Sequence, residues 1–134
     1  MTTTLAAFYN TYKDLVLKGV RNLDAPPTAM DLTTAKLPCK WADSFTVQEA
    51  PARAKGAGGE RVLRCRVVVA IWPLEQGTHA RRWSDTITMV DTLNAGIKNV
   101  CDKTTSWTLE ATPNFWDGWS YAVVATIETS EWSV

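Results

Sequence analysis

The chain has 134 residues, enough for one domain with a sizeable core and too few for two. Its 14 basic residues balance 14 acidic ones, whereas a general nucleic-acid binder would be expected to carry a basic excess. No apolar run reaches the roughly 18 residues of a membrane helix, and residues 2–5 lack the basic and apolar regions of a signal peptide. We therefore expect a single domain, 1–134, that is made in the cytoplasm.

The N-terminal segment is predicted to form an amphipathic helix. Its apolar residues recur at spacings of three and four: Leu5, Phe8, Tyr9, Tyr12, Leu15, Val16, Val20 and Leu23. Threonines at positions 2–4 offer a cap, and Pro26 and Pro27 prevent continuation of the helix. One side of this helix should therefore lie on the rest of the domain.

Residues 35–41 alternate in polarity, with Leu37, Cys39 and Trp41 on one face. Pro38 within this run predicts an edge strand or the start of one, and Phe45 and Val47 fit its continuation. Residues 50–59 follow and contain Arg53, Lys55 and no apolar side chain larger than alanine. They predict a flexible, basic loop, which is either functional or a hairpin tip without a role.

Residues 60–72 are predicted to form the central strand of the fold. Leu63 and Cys65 alternate with Arg64 and Arg66, while both faces are apolar from residue 67 to residue 72. A strand with two apolar faces lies inside a sheet and is covered on both sides. Pro73 lacks the N–H group that further pairing would need.

A second helix is predicted over residues 78–100, followed by two more strands over 104–112 and 119–132. The helix has one apolar stripe: Ala80, Trp83, Ile87, Val90, Leu93, Ile97 and Val100. Gly96 predicts fraying beyond Ala95. The order of elements predicts an α+β fold: a single mixed, mainly antiparallel sheet of about four strands with two helices packed on one face.

Charge is unevenly spread along the chain. Residues 53–66 hold five basic residues and one acid, and residues 102–134 hold five acids and one base. These runs predict either two opposite patches that bind copies of the chain head to tail, or two separately solvated surfaces. The candidate interface or ring-lumen residues from these runs are Arg61, Arg64, Arg66, Asp117, Glu128 and Glu131.

The sequence offers little catalytic chemistry. His79 is the only histidine, and Cys39, Cys65 and Cys101 are too widely spaced for a metal pair, so they are read as free thiols in a reducing compartment. The glycines at 56, 58 and 59 precede a strand and do not open a helix, unlike a phosphate-binding loop. We therefore expect no cofactor, no metal and no enzymatic activity.

Seven tryptophans are an unusual number for this length. Five of them fall on predicted packed faces, whereas Trp116 and Trp132 fall in a turn and near the terminus. Exposed aromatic residues mark protein interfaces or stack on single-stranded bases. The acidic neighbours Asp117, Glu128 and Glu131 favour a protein interface, so Trp116 and Trp132 join the candidate interface residues.

The order of elements resembles the tail terminator proteins of long-tailed phages with non-contractile tails, the lambda-like minor tail proteins. The resemblance covers nearly the whole chain. It consists of an N-terminal helix, a short strand with Leu37-Pro38 and a flexible loop, then a long strand that ends Val-Val-Val-Ala-Ile-Trp-Pro. A long helix with Trp83 follows, and the last strand of a closing hairpin begins Asp-Gly-Trp-Ser.

This resemblance implies a structural protein of the virion, present in the host cytoplasm during assembly. Its copies would form a ring, expected to be a hexamer, that caps the tail tube, ends tube polymerisation and meets the head-completion proteins. DNA would pass through the ring without specific binding. In this family the loop before the long strand lies near the tube, which implies that residues 50–59 are the docking segment. Within it, Arg53 and Lys55 are predicted to be the docking residues from their charge and expected exposure. A head–tail connector or other neck protein, and a single-stranded nucleic-acid-binding module, are the alternatives.

Overall fold

The structure is a computed structural model of one chain, and it describes residues 4–27, 37–50, 59–73, 79–102, 104–115 and 120–133. These residues form two helices and five strands. In chain order the elements are α1 (Leu5–Lys13), β1 (Arg21–Asn22), β2 (Cys39–Ala50), β3 (Gly59–Pro73), α2 (His79–Val100), β4 (Thr105–Asn114) and β5 (Ser120–Ser133). The strands form one sheet in the order β1-β2-β3-β5-β4. The α+β prediction is confirmed, except that the sheet has five strands and not about four.

β3 is the middle strand of the sheet, as the sequence predicts. It pairs antiparallel with β2 on one side and with β5 on the other, and its pairing with β5 extends as far as Pro73 opposite Ser120. Side chains from 67 to 71 are buried on both faces of the sheet. The β-branched residues there suit a pleated, packed surface, which explains why this run forms the centre of the core.

The two helices pack on the same face of the sheet. Phe8 and Tyr12 of α1 and Leu93 and Ile97 of α2 belong to one buried cluster with the odd-numbered residues of β3 and β5. The opposite face holds a smaller cluster, which consists of Cys39, Trp41, Val68, Ala70, Phe115 and Ala122. Cys39 and Cys65 are both buried, as predicted, but they lie on opposite faces.

The prediction that the first helix continues to Leu23 is wrong. The Thr4 side chain caps α1 by accepting a hydrogen bond from the Ala7 N–H, and the helix ends at Lys13. After it, Leu15 and Leu17 are buried while Val16 is 78% exposed, which is the two-residue period of an extended chain. Gly19 then turns the chain with a φ of 77°, and residues 21–22 add β1 in parallel to β2.

The prediction that the second helix frays beyond Ala95 is also wrong, because α2 continues to Val100. Gly96 faces the extended segment after α1. A Cβ atom at this position would lie 2.9 Å from Leu17 Cδ2 and 3.4 Å from Leu15 Cδ1. The lost helix propensity of glycine is therefore offset by the close packing of two leucines against the helix.

β2 extends further than the predicted strand. Its first two residues have β1 alongside, whereas from Trp41 onward no strand of the described chain lies on its outer side. The edge therefore begins at Trp41, whereas residues 39 and 40 of the predicted run 35–41 lie between β1 and β3. A bulge between Asp43 and Thr46, where Ser44 has a φ of 57°, shifts the register against β3.

Candidate interaction surface

Within the described residues, part of the basic run and part of the acidic run meet in the sheet. Arg64 lies directly opposite Glu128 in the β3–β5 register, and its Nε donates to Glu128 Oε2 at 3.0 Å. Arg64 also donates to Gln48 Oε1 of β2 at 2.8 Å. For Arg61, Arg64, Glu128 and Glu131, neither opposite patches nor separately solvated surfaces are found, because antiparallel pairing of β3 with β5 brings these four charges into two pairs.

Arg61 completes this arrangement on the other face of the same strands. Its Nε is 3.0 Å from Glu49 Oε1 of β2, and its Nη1 is 3.8 Å from Glu131 Oε2 of β5. Glu49, Arg61 and Glu131 are register partners across three adjacent strands. The Arg61 side chain is only 18% exposed, so it is held between two carboxylates with little access to an outside anion.

Arg66 binds Asp43 with two hydrogen bonds, from Nε at 2.8 Å and from Nη2 at 2.9 Å. The Trp41 Nε1 group donates to the same carboxylate at 2.9 Å. Burial alone would raise the pKa of Asp43, but hydrogen bonds from Arg66 and Trp41 and the charge of Arg66 hold it below the ordinary value. This bidentate, partly buried pair stabilises the fold by about 1.5–3 kcal/mol, more than the exposed Arg64–Glu128 pair, which is worth about 0–1 kcal/mol.

These ion pairs lie along strands that extend into an exposed end of the sheet. We call this the hairpin end, and it consists of residues 46–50 of β2, 59–62 of β3 and 129–133 of β5. All five β2 residues in it are exposed, including Val47, which is 40% exposed. The hairpin end is therefore a surface of alternating charge with an apolar side chain beside it, at the place where β2 ends and β3 begins.

Four predicted site residues lie outside the described residues: Arg53, Lys55, Trp116 and Asp117. Arg53 and Lys55 belong to the segment of chain between Ala50 and Gly59, the two strand ends of the hairpin end. Trp132 lies in β5 opposite Glu60. The structure thus pairs Arg64 with Glu128 on one face of the sheet and Arg61 with Glu131 on the other, and their contact with other copies stays a prediction.

Sequence reasoning missed the polar residues of β2 in this surface, namely Asp43, Gln48 and Glu49. The position of one of them, Glu49, can be predicted from the sequence. A hairpin that closes between Ala50 and Glu60 must place Glu49 opposite Arg61, because the strands pair outward from the turn. The same reasoning could not place Asp43 opposite Arg66, since the bulge after Asp43 changes the register by one residue.

The described residues offer little for catalysis. No group of three or more His, Cys, Asp or Glu side chains in them could hold a metal ion. His79 lies at the start of α2. Its Nδ1 is 2.6 Å from the hydroxyl of the buried residue Tyr121. Burial raises the pKa of Cys65 to about 12, so this thiol stays protonated and is a poor nucleophile.

In the described parts of the chain, no helix is long and apolar enough to cross a membrane. Comparison with known proteins gives no family: no protein-family model matches the chain, and no curated protein is similar to it at a significant level.

Proposed function

We propose that this chain is a structural protein of a phage virion, a tail terminator whose copies form a ring, expected to be a hexamer, on the end of the tail tube. The ring ends tube polymerisation and joins the tail to the head-completion proteins. The observation that carries the proposal is the hairpin end. Its β2 residues, 46–50, are all exposed, and the basic segment with Arg53 and Lys55 connects β2 to β3.

The paired charges support this proposal over nucleic-acid binding. Arg61, Arg64 and Arg66 would form the basic surface of a binding module, yet each lies within 3.0 Å of an acidic side chain of the same chain. A phosphate would have to displace a carboxylate at each position. DNA can therefore pass such a surface without specific binding, as a ring around the DNA path requires.

The test is the binding of the purified chain to polymerised tail tubes of its phage, followed by co-sedimentation and electron microscopy of tube ends. We expect rings on tube ends and tubes that stop growing. In the Arg53→Glu, Lys55→Glu double variant we expect binding to fall by on the order of tenfold or more, because two charges of the docking segment reverse sign.

A matched control is the Lys18→Glu, Arg21→Glu double variant. It makes the same change of charge at two exposed residues, Lys18 before β1 and Arg21 in β1, away from the hairpin end. Its binding should equal that of the original chain. Tubes that grow on in the presence of the chain, with bare ends, would contradict the terminator function. Loss of binding in both variants would contradict the docking role of the segment.

A head–tail connector or neck protein is the nearest alternative, and it would bind the head side without stopping tube growth. A single-stranded nucleic-acid-binding module belongs to a different class. It would shift a DNA oligonucleotide in a gel at low micromolar protein and lose the shift as salt rises, whereas the ring protein would give no shift.

A further inference from the structure

In the described part of the chain, β4 lies at an edge of the sheet. No strand of the described chain lies beyond it, and its pairing with β5 has no bulge. Glu110 is its single charged residue, and it contains no lysine. The edge at β2 differs, because it has a bulge at Asp43–Thr46. Proteins usually guard such edges with bulges, charges or proline, and in β4 Glu110 and Pro113 are the residues of these kinds, so the backbone between Thr105 and Pro113 is open to a partner.

The backbone groups that point outward from β4 belong to its odd-numbered residues. Ser130 N–H donates to the carbonyl of Thr104, with which it is in register, so even-numbered positions bond to β5. Trp107, Leu109 and Ala111 therefore direct their N–H and C=O groups away from the sheet. Their side chains are partly buried on the helix face.

The sequence of β4 is complementary to itself in antiparallel pairing. Because the outward N–H and C=O groups belong to odd-numbered residues, each hydrogen-bonded pair across this edge must join two odd-numbered residues. Two registers of this kind pair nearly the whole of both strands. One is centred on Glu110 and sets two glutamates face to face. The other is centred on Leu109 and sets Glu110 opposite Thr108 of the second copy, and Trp107 opposite Ala111 of the second copy. The second register separates the charges and matches a large side chain with a small one.

Pro113 fits the same register. It is an odd-numbered residue near the end of β4, so the N–H that it lacks would have pointed outward. In the register centred on Leu109 it faces Thr105 of the second copy, at the margin of the pairing. Trp107, Leu109 and Ala111, which lie between these two positions, all keep their outward N–H groups.

Helix α2 adds an apolar side chain on the same side. Asn94 Oδ1 accepts a hydrogen bond from Trp107 Nε1 of β4 at 2.7 Å, which fixes the side of α2 that faces this edge. Ile87 lies seven residues earlier, within about 20° of Asn94 around the helix, and is 47% exposed. Across a two-fold axis at Leu109, this side of α2 would meet its copy.

We infer that two copies of this chain associate in solution as a two-fold dimer through antiparallel pairing of β4 with β4, with Ile87 of each copy beside the joined strands. The occupant of the open edge is thus a second copy of the chain. This goes beyond the proposed function and does not depend on it, since β4 and the docking segment are different residues and a two-fold contact does not by itself build a cyclic ring.

The test is the mass of the chain in solution by analytical ultracentrifugation over a range of concentrations, for three forms. The original chain should sediment as a dimer. Thr108→Glu places a carboxylate opposite Glu110 of the second copy at two symmetric positions, so we expect the dissociation constant to rise on the order of tenfold or more. Thr108→Lys places an ammonium group opposite Glu110 of the second copy and should lower the dissociation constant.

Thr108 is exposed, so neither variant removes a core contact, and equal unfolding midpoints at low concentration would confirm this. Ile87→Ser should also weaken the dimer, whereas Val16→Ser should not, because this exposed valine lies in the segment whose leucines pack at Gly96 of α2. A monomer at all concentrations would overturn the inference. An oligomer that responds equally to both Thr108 variants would overturn it too, and neither result bears on tube capping.

Discussion

Lys40 is a charged residue with no exposed surface, and its position explains where α1 ends. Its Nζ donates to the carbonyl oxygens of Tyr12 at 2.9 Å and Lys13 at 3.1 Å. These are carbonyls of the last turn of α1, which have no partner within the helix. A cation there also complements the negative end of the helix dipole. One side chain of β2 thus ties the helix to the sheet.

We predict a pH dependence of stability that belongs to Lys40. Burial lowers the pKa of Lys40 from 10.5 to about 8, although the charge of Asp14 acts in the opposite direction. Between these pH values the unfolded chain holds a proton that the folded chain has released. The contribution of Lys40 to the free energy of unfolding therefore rises as the pH goes from 8 to 10.5.

Urea unfolding of the original chain and of the Lys40→Met variant at these two pH values checks this. Burial raises the pKa of Cys65 to about 12 and also raises that of Tyr12, so these groups lower stability over the same range and only the difference between the two proteins is informative. At pH 10.5 the variant should be less stable by about 1–3 kcal/mol, because two helix carbonyls lose their donor. At pH 8 this gap should be smaller. An equal gap at both pH values would contradict the prediction.

At the scale of elements, Gly96 couples α2 to the segment after α1. We predict that Gly96→Ala destabilises the chain by about 1 kcal/mol, because crowding of Leu17 outweighs the gain in helix propensity of about 1 kcal/mol. In a Leu17→Ala background the same substitution should stabilise by about 1 kcal/mol, since the crowding is gone. Unfolding of the four proteins of this cycle measures the coupling. The same sign in both backgrounds would show that the helix and the leucines act independently.

The elements that the sequence predicted well are those with one clear period. β3 was identified from alternation followed by a doubly apolar run, and β5 from its alternating apolar face. α1 was predicted too long because Leu15 and Val16 continue its helical stripe, whereas the burial of Leu15 and Leu17 follows the period of an extended chain. Only the tertiary contacts of Lys40 and Gly96 decide between these two. β1 was missed because two residues carry no period at all.

For the whole molecule, the sheet predicts a gradient of local stability. Backbone amides of residues 67–70 and their β5 neighbours should exchange hydrogen only by global unfolding, because they are buried on both faces between paired strands. Amides at 46–50 of β2, which are exposed at an edge, should exchange by local opening, about 100-fold faster or more. Hydrogen exchange followed by mass spectrometry or NMR measures both. Equal protection in the two regions would mean that the hairpin end is not separable from the core.

Strand register was the part of the candidate site that the sequence did not reveal. The two charged runs are separated by 36 residues or more along the chain, and nothing in composition tells whether they meet. Register is set by the pairing of β3 with β5 over their full length, which places Arg64 on Glu128 and Arg61 on Glu131. The charges were identified correctly as a feature, and their arrangement was not.

The pairing of these charges affects the dipole moment of the molecule. Two separated patches would give the chain a large dipole moment, which orients a protein in the field of a charged partner. Here the arginine and glutamate groups approach within 3.0 Å and 3.8 Å of each other, so their fields largely cancel a short distance from the surface. Recognition at the sheet must then come from shape and backbone hydrogen bonds at short range, and long-range attraction is left to charges outside these pairs.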